Sequence, residues 1–157
     1  MSDARWIEVT REAALAAEYL GNSVELYGRD FNGQSIDAFA ARMAFMHAVQ
    51  SGYTSLESAL ARIFEMLDEP RPSGDHWHRQ LVARACLPVS GENARPAILS
   101  PEMCEMVDEA RRFRNLATRA YDTFSKDKAA KTVAAARFIS EHLAAEIAEF
   151  KRVIDPD

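Results

Sequence analysis

Apolar residues along this chain recur mostly at three- and four-residue intervals, and the pattern is clearest towards its end. There they lie 3, 4, 4, 3 and 4 positions apart, at Ala136, Ile139, Leu143, Ile147, Phe150 and Ile154. A helix advances by about 100° per residue, so this spacing builds one apolar stripe on one helix face. The pattern therefore predicts a helix over about residues 127–154, and no segment alternates apolar and polar positions as a half-buried strand does.

The same periodicity predicts three more long helices. The first spans about residues 3–27. The second begins after Ser35, a residue type that caps helix N-termini, and continues to about Leu67. The third begins at residues 100–102, where Ser is the N-cap, Pro takes the first helical position and Glu lies in the first turn, and it ends near Phe124. The apolar stripe of the first helix is Trp6, Val9, Ala13, Leu20, Val24 and Tyr27, and that of the second includes Phe39, Met43, Met46, Ala59, Leu60, Ile63, Phe64 and Leu67.

Glycine and proline mark the junctions between these helices. A turn is expected over residues 28–33, and residues 68–74 contain two prolines that cannot continue a helix. A short helix is expected over about residues 77–86, followed by a loop. Ser51-Gly52 interrupts the second long helix, so we expect a kink there.

These elements predict an all-α fold: an antiparallel helical bundle of four long helices plus a short helix, with residues 1–157 in a single domain. The 48% apolar content excludes a disordered chain, and no apolar run approaches the roughly 20 residues of a membrane span. The first residues show no secretory pattern. Cys86 and Cys104 lack metal-ligand spacing, so we expect two reduced, buried thiols. The prediction is a cytoplasmic protein without a membrane partner.

One segment is chemically distinct from the rest. Residues 111–122 bring together four arginines, an amide and a tyrosine: Arg111, Arg112, Arg114, Arg119, Asn115 and Tyr121. The chain as a whole is acidic, with 24 Asp+Glu against 19 Lys+Arg, so this basic cluster needs a local explanation. Guanidinium groups bind phosphate oxygens two at a time, which makes phosphate the first candidate ligand.

Two plainer explanations of the cluster stay open. The arginines could form a solvated helix face, with Asp108 and Glu109 pairing its upstream end. They could also pair with glutamates of a partner helix in a purely structural bundle. In that case, replacing Arg114 should lower stability rather than RNA affinity.

The segment resembles the signature of HepT-like toxins, a branch of the HEPN (higher eukaryotes and prokaryotes nucleotide-binding) superfamily. That signature is Arg, a polar residue, three further positions, His, one position and Tyr. Arg114, Asn115 and Tyr121 match the Arg, the polar residue and the Tyr, whereas Arg119 stands where the family has His. The resemblance spans about residues 35–154 and includes residues 52–60, 77–78 and 95–101.

The resemblance implies a bundle that forms a homodimer, with the two signature segments meeting in a composite site. It implies a metal-independent endoribonuclease that acts as a toxin on RNA. A nucleotidyltransferase antitoxin would silence it by attaching AMP to Tyr121. The candidate catalytic residues are then Arg114, Asn115, Arg119 and Tyr121, and the candidate RNA-binding residues are Arg111, Arg112 and Arg114. No metal and no cofactor are expected.

Arg119 places the catalytic step in question. A metal-independent ribonuclease needs a group that gives and takes a proton near neutral pH, as His does and Arg cannot. The sequence therefore predicts an endoribonuclease lineage with a degenerate catalytic motif. Among the other histidines, His78 is the best substitute, although each is more readily explained as a surface or core residue. The alternative function is a catalytically inactive HEPN adaptor that binds a nucleotidyltransferase partner or a nucleotide.

Overall fold

The structure, a computed structural model, describes residues 3–29, 31, 33–119 and 125–156, with only the backbone described for residues 118 and 119. Within these ranges it contains five helices: α1 (Trp6–Tyr27), α2 (Ile36–Met66), α3 (Trp77–Ala85), α4 (Pro101–Arg119) and α5 (Lys126–Ile154). The described part of the chain has one isolated β-bridge, between Val89 and Arg95, and no strand. The all-α prediction of four long helices and one short helix is confirmed.

Local sequence signals set the helix ends. The Ser35 hydroxyl accepts a hydrogen bond from the Ala38 amide at 3.1 Å, as expected of an N-cap. At the other end of α2, Asp68 has a φ of 55°, and the Glu69 amide donates to the Phe64 carbonyl at 2.9 Å. This left-handed cap closes the last turn. As a result, α2 ends before either of the following prolines.

The four long helices form a ring in which α1 packs against α2 and α5, and α4 packs against the same two helices. The neighbours run antiparallel. Arg62, late in α2, pairs with Glu8, early in α1, and the Asp3 amide donates to Asp155, beyond the end of α5, at 2.8 Å. The short helix α3 packs between α2 and α4.

The core consists of two clusters. The larger contains Trp6, which is 4% exposed and therefore packs within its own chain. The smaller lies where α2, α4 and α5 meet, and its members are Phe45, Met46, Val49, Phe113, Ala117, Ala129 and Val133. One member of the predicted stripe of α2 does not belong to either cluster: Phe39 is 50% exposed, one turn from the helix start.

The helix α2 is continuous through Ser51-Gly52, and the kink expected at that pair stays a prediction. Gly52 has a packing role, because a Cβ there would lie 2.7 Å from Cγ of Leu20 in α1. One expectation needs correction. The prediction of two reduced thiols is wrong: Cys86, after α3, and Cys104, in α4, form a disulfide. Spacing along the sequence did not reveal this pairing because α3 turns back against the start of α4.

Candidate functional site

The upstream arginines of α4 pair within their own helix. Arg112 is exposed, and its guanidinium contacts Asp108 at 2.6 Å and Glu109 at 3.5 Å. Arg111 is more buried and also contacts Asp108, at 2.8 Å. Asp108 and Glu109 therefore form ion pairs at the upstream end of the arginine cluster, as the sequence allowed. These pairs reduce the net positive charge of the helix face. The assignment of Arg111 and Arg112 to RNA binding stays a prediction.

The signature arginine occupies a different environment. Arg114 is half-buried and turns towards α2, where its Cζ lies 5.9 Å from the centre of the Tyr53 ring. Asn115 is also half-buried. The side chain of Arg119 and the whole of Tyr121 lie outside the described residues. The roles predicted for Arg119 and Tyr121 therefore stay predictions. The part of the signature whose surroundings the structure describes in detail is Arg114.

A buried carboxylate lies next to this arginine. Glu57 of α2 is only 5% exposed, and its Oε2 is 2.6 Å from Nδ1 of His78, in the first turn of α3. The His78 ring lies against the ring of Trp77, with their centres 3.5 Å apart. Tyr53 lies one turn before Glu57, and its buried hydroxyl makes no hydrogen bond to the described residues. We call Tyr53, Glu57, His78, Arg111 and Arg114 the interhelix site.

The electrostatics of the interhelix site couple these groups. Burial raises the pKa of Glu57 above its usual value, while the hydrogen bond to His78, the charge of His78 and the charge of Arg114 oppose that rise. Burial and the neighbouring Glu57 carboxylate raise the pKa of Tyr53, while the charges of Arg111 and Arg114 oppose this. At the junction of α2, α3 and α4, Arg114 therefore acts electrostatically on Glu57 and Tyr53, and Arg111 acts on Tyr53.

Three elements of the fold bring the site together. Tyr53 and Glu57 are four residues apart on α2 and so share one helix face. His78 is fixed by α3, and the Cys86–Cys104 disulfide joins the end of α3 to α4, which carries Arg114. The site thus combines guanidinium groups, which can hold phosphate, with an imidazole, which can transfer a proton.

The family comparison covers the helices that build this site. The profile of a family described as HepT-like protein matches residues 44–154. The chain belongs to the HepT-like family. The matched range holds every residue of the interhelix site and the whole signature segment. Neither the search of curated proteins nor that of solved structures produced a match. The family membership of this HepT-like protein confirms the resemblance, whereas the effect of Arg119 stays a prediction.

Sequence reasoning found part of the interhelix site. It identified Arg111 and Arg114, and it named His78 as the best replacement for the missing histidine, but it missed Tyr53 and Glu57. The available signal was a charged residue, Glu57, on the apolar face of α2, directly after Leu56 and three positions before Leu60. Charged side chains are almost never fully buried unless they are paired, so such a position predicts a partner.

No group of three or more His, Cys, Asp and Glu side chains among the described residues is arranged to hold a metal ion. None of the helices, as far as they are described, is both long and apolar enough to cross a bilayer.

Proposed function

We propose that this HepT-like protein is the toxin component of a HEPN/nucleotidyltransferase toxin–antitoxin pair. It has a metal-independent endoribonuclease fold, acts on RNA, and is impaired because Arg119 replaces the signature histidine. The observation that carries the proposal is the placement of the signature arginine: Arg114 lies over the ring of Tyr53, one turn of α2 before the buried carboxylate of Glu57, which contacts the imidazole of His78. An arginine with a purely structural role needs no proton-transfer group nearby.

The family signature gives each residue its role. Arg114 binds the scissile phosphate through its guanidinium, and Asn115 orients that phosphate by hydrogen bonding. Arg119 can stabilise negative charge on the phosphate but cannot exchange a proton near neutral pH, because guanidinium stays protonated. Tyr121 receives AMP from the antitoxin.

The wider organisation follows the same proposal. Residues 1–157 form one domain, and α1, which lies wholly before the matched range, supports this because it packs against α2 and α5. Two copies form a homodimer in which their signature segments face each other. The protein acts in the cytoplasm, where RNA and a nucleotidyltransferase antitoxin are both available.

The test restores the family residue. Arg119→His should raise the rate of RNA cleavage by a factor of about 10²–10⁴, the usual contribution of one proton-transfer group. Arg119→Lys is the matched control, because lysine keeps the positive charge and adds no group that titrates near pH 7. The substrate is a single-stranded RNA labelled with a fluorophore and a quencher. A folded Arg119→His protein that leaves this RNA intact would contradict the proposal.

The inactive adaptor remains the second candidate, and the arginine at position 119 favours it. Coexpression with the neighbouring nucleotidyltransferase and ATP separates the two functions. Addition of one AMP to Tyr121, seen by intact-mass and peptide mass spectrometry, supports the toxin lineage. An unchanged mass together with stable binding of the nucleotidyltransferase supports the adaptor.

A further inference from the structure

We propose that His78 is the proton-transfer residue for RNA cleavage by this chain and that Glu57 is its positioning residue. The inference rests on the proposed function and identifies the group that does the work the signature histidine would do. His78 lies outside the signature segment, 36 positions before Arg114. The fold brings it to the same site through α3.

The geometry of His78 suits proton transfer. Its Nδ1 is 2.6 Å from the Glu57 carboxyl group, and in the proposed mechanism Nδ1 donates its proton to the ionised carboxylate. Its Nε2 makes no hydrogen bond to the described residues. The side chain is 26% exposed, which allows a substrate to reach it. Trp77 packs against the ring and restricts its rotation.

Glu57 fixes this arrangement. Its carboxylate is buried, so it offers the imidazole a hydrogen bond that water does not weaken. A carboxylate bonded to Nδ1 selects the tautomer in which Nε2 accepts a proton, and it stabilises the imidazolium that then forms. The charged and titratable groups around Glu57 come from each adjoining helix: Tyr53 from α2, His78 from α3 and Arg114 from α4.

In the proposed complex, Arg114 holds the substrate on the side of the site that contains Tyr53. Cζ of Arg114 is 5.9 Å from the centre of the Tyr53 ring, and Tyr53 lies one turn of α2 before Glu57, which contacts His78. A phosphodiester bound by Arg114 at Tyr53 is then one helix turn from the carboxylate that holds the imidazole. A histidine that only neutralises a buried glutamate would need no exposed edge.

The reaction that fits this site is an internal transphosphorylation of RNA. Nε2 of His78 takes the proton of a ribose 2′-hydroxyl while the 2′-oxygen forms a bond to the adjacent phosphorus. The bond between phosphorus and the 5′-oxygen breaks, and that oxygen takes a proton from water. The imidazolium then returns its proton to the resulting hydroxide. The products are a 2′,3′-cyclic phosphate and a 5′-hydroxyl, and no other reactant is consumed.

The test compares variants of the full chain on one labelled single-stranded RNA and on its 2′-deoxy counterpart. His78→Ala should lower the cleavage rate at least tenfold, and the 2′-deoxy strand should stay intact. His76→Ala is the matched control, because His76 is exposed, lies two positions away and should leave the rate unchanged. His78→Gln can still hydrogen-bond to Glu57, so it keeps the pair without a titrating ring and should lose activity equally.

Glu57→Gln provides a readout that a merely structural role would not affect. A glutamine side chain keeps the shape and can accept the Nδ1 hydrogen bond, but it has no charge to stabilise the imidazolium. We expect a slower reaction whose pH–rate profile is shifted towards lower pH. Thermal unfolding of each variant checks that the protein is folded.

The outcomes separate the two proposals. If the unsubstituted chain cleaves RNA and folded His78→Gln cleaves it equally fast, the role of His78 is refuted and the proposed function stands. The same two conclusions follow if Arg119→His cleaves RNA and the unsubstituted chain does not. If neither the unsubstituted chain nor Arg119→His cleaves RNA, the proposed function fails, and the role of His78 fails with it.

Discussion

Gly52→Ala tests a close approach between α1 and α2. A Cβ at position 52 would lie 2.7 Å from Cγ, 3.0 Å from Cδ2 and 3.2 Å from the backbone nitrogen of Leu20. Leu20 is fully buried, so its side chain has no free space to enter. The backbone contact also means that a new rotamer of Leu20 cannot relieve the crowding. The substitution therefore pushes α1 and α2 apart.

Two opposing effects set the magnitude. Alanine is favoured over glycine inside a helix by about 1 kcal/mol. Overpacking a well-filled core typically costs about 1–3 kcal/mol, and the backbone contact puts this site at the upper end of that range. We expect a net loss of about 1–2 kcal/mol. In a protein of this size that corresponds to a fall in Tm of about 2–8 °C.

Gly21→Ala is the matched control. Gly21 also lies inside a helix, α1, but the nearest atom to an added Cβ is Cβ of Ser140 at 4.0 Å, which is ordinary contact. This substitution should stabilise the protein by about 0.5–1 kcal/mol, because only the helix preference acts. Circular dichroism during heating and in urea measures both variants. We predict that Gly52→Ala lowers the free energy of unfolding and that Gly21→Ala raises it.

The same substitution in a Leu20→Ala protein tests whether the contact with Leu20 causes the loss. Leu20→Ala removes Cγ and Cδ2, the two side-chain atoms that the new methyl group would strike, and leaves only the backbone contact, so Gly52→Ala should be less harmful there by more than about 0.5 kcal/mol. The reasoning is refuted if Gly52→Ala stabilises the protein as Gly21→Ala does. It is also refuted if the effects of Gly52→Ala and Leu20→Ala simply add.

Two further predictions concern the interhelix site and the disulfide. Because the pKa of Glu57 is raised in the folded state, its contribution to stability is present below its ordinary value of 4.5 and is lost as the pH rises through the folded value. Above pH 4.5, the free energy of unfolding of the unsubstituted chain should therefore fall relative to that of Glu57→Gln. Urea unfolding of both proteins from pH 4 to pH 7 measures this difference, and a relative rise with pH would contradict the prediction. The disulfide between Cys86 and Cys104 spans 18 positions, so its loss should cost about 3 kcal/mol. Reductant, or Cys104→Ser, should then lower the Tm. If both thiols react with an alkylating reagent before reduction and reductant leaves the Tm unchanged, the bond is absent.

Local patterns determined most of the fold. Apolar spacing predicted the four long helices, since a stripe along one face depends only on nearby residues and helical geometry. Ser35 and Ser100 marked helix starts because an N-cap bonds an amide three residues away, within reach of the local chain. Phe39 shows the limit of this reasoning: it fits the stripe, but its side chain is 50% exposed.

The sequence by itself therefore determined the helices, their caps and the basic signature around Arg114, which all depend on neighbours within a few turns. Only the tertiary structure decided which distant residues meet. Glu57 and His78 are 21 positions apart on different helices, and their contact depends on how α3 packs between α2 and α4. The close approach of Gly52 to Leu20 and the pairing of Cys86 with Cys104 have the same origin. Helix packing is set by the fit of whole faces, and no short stretch of sequence contains that information.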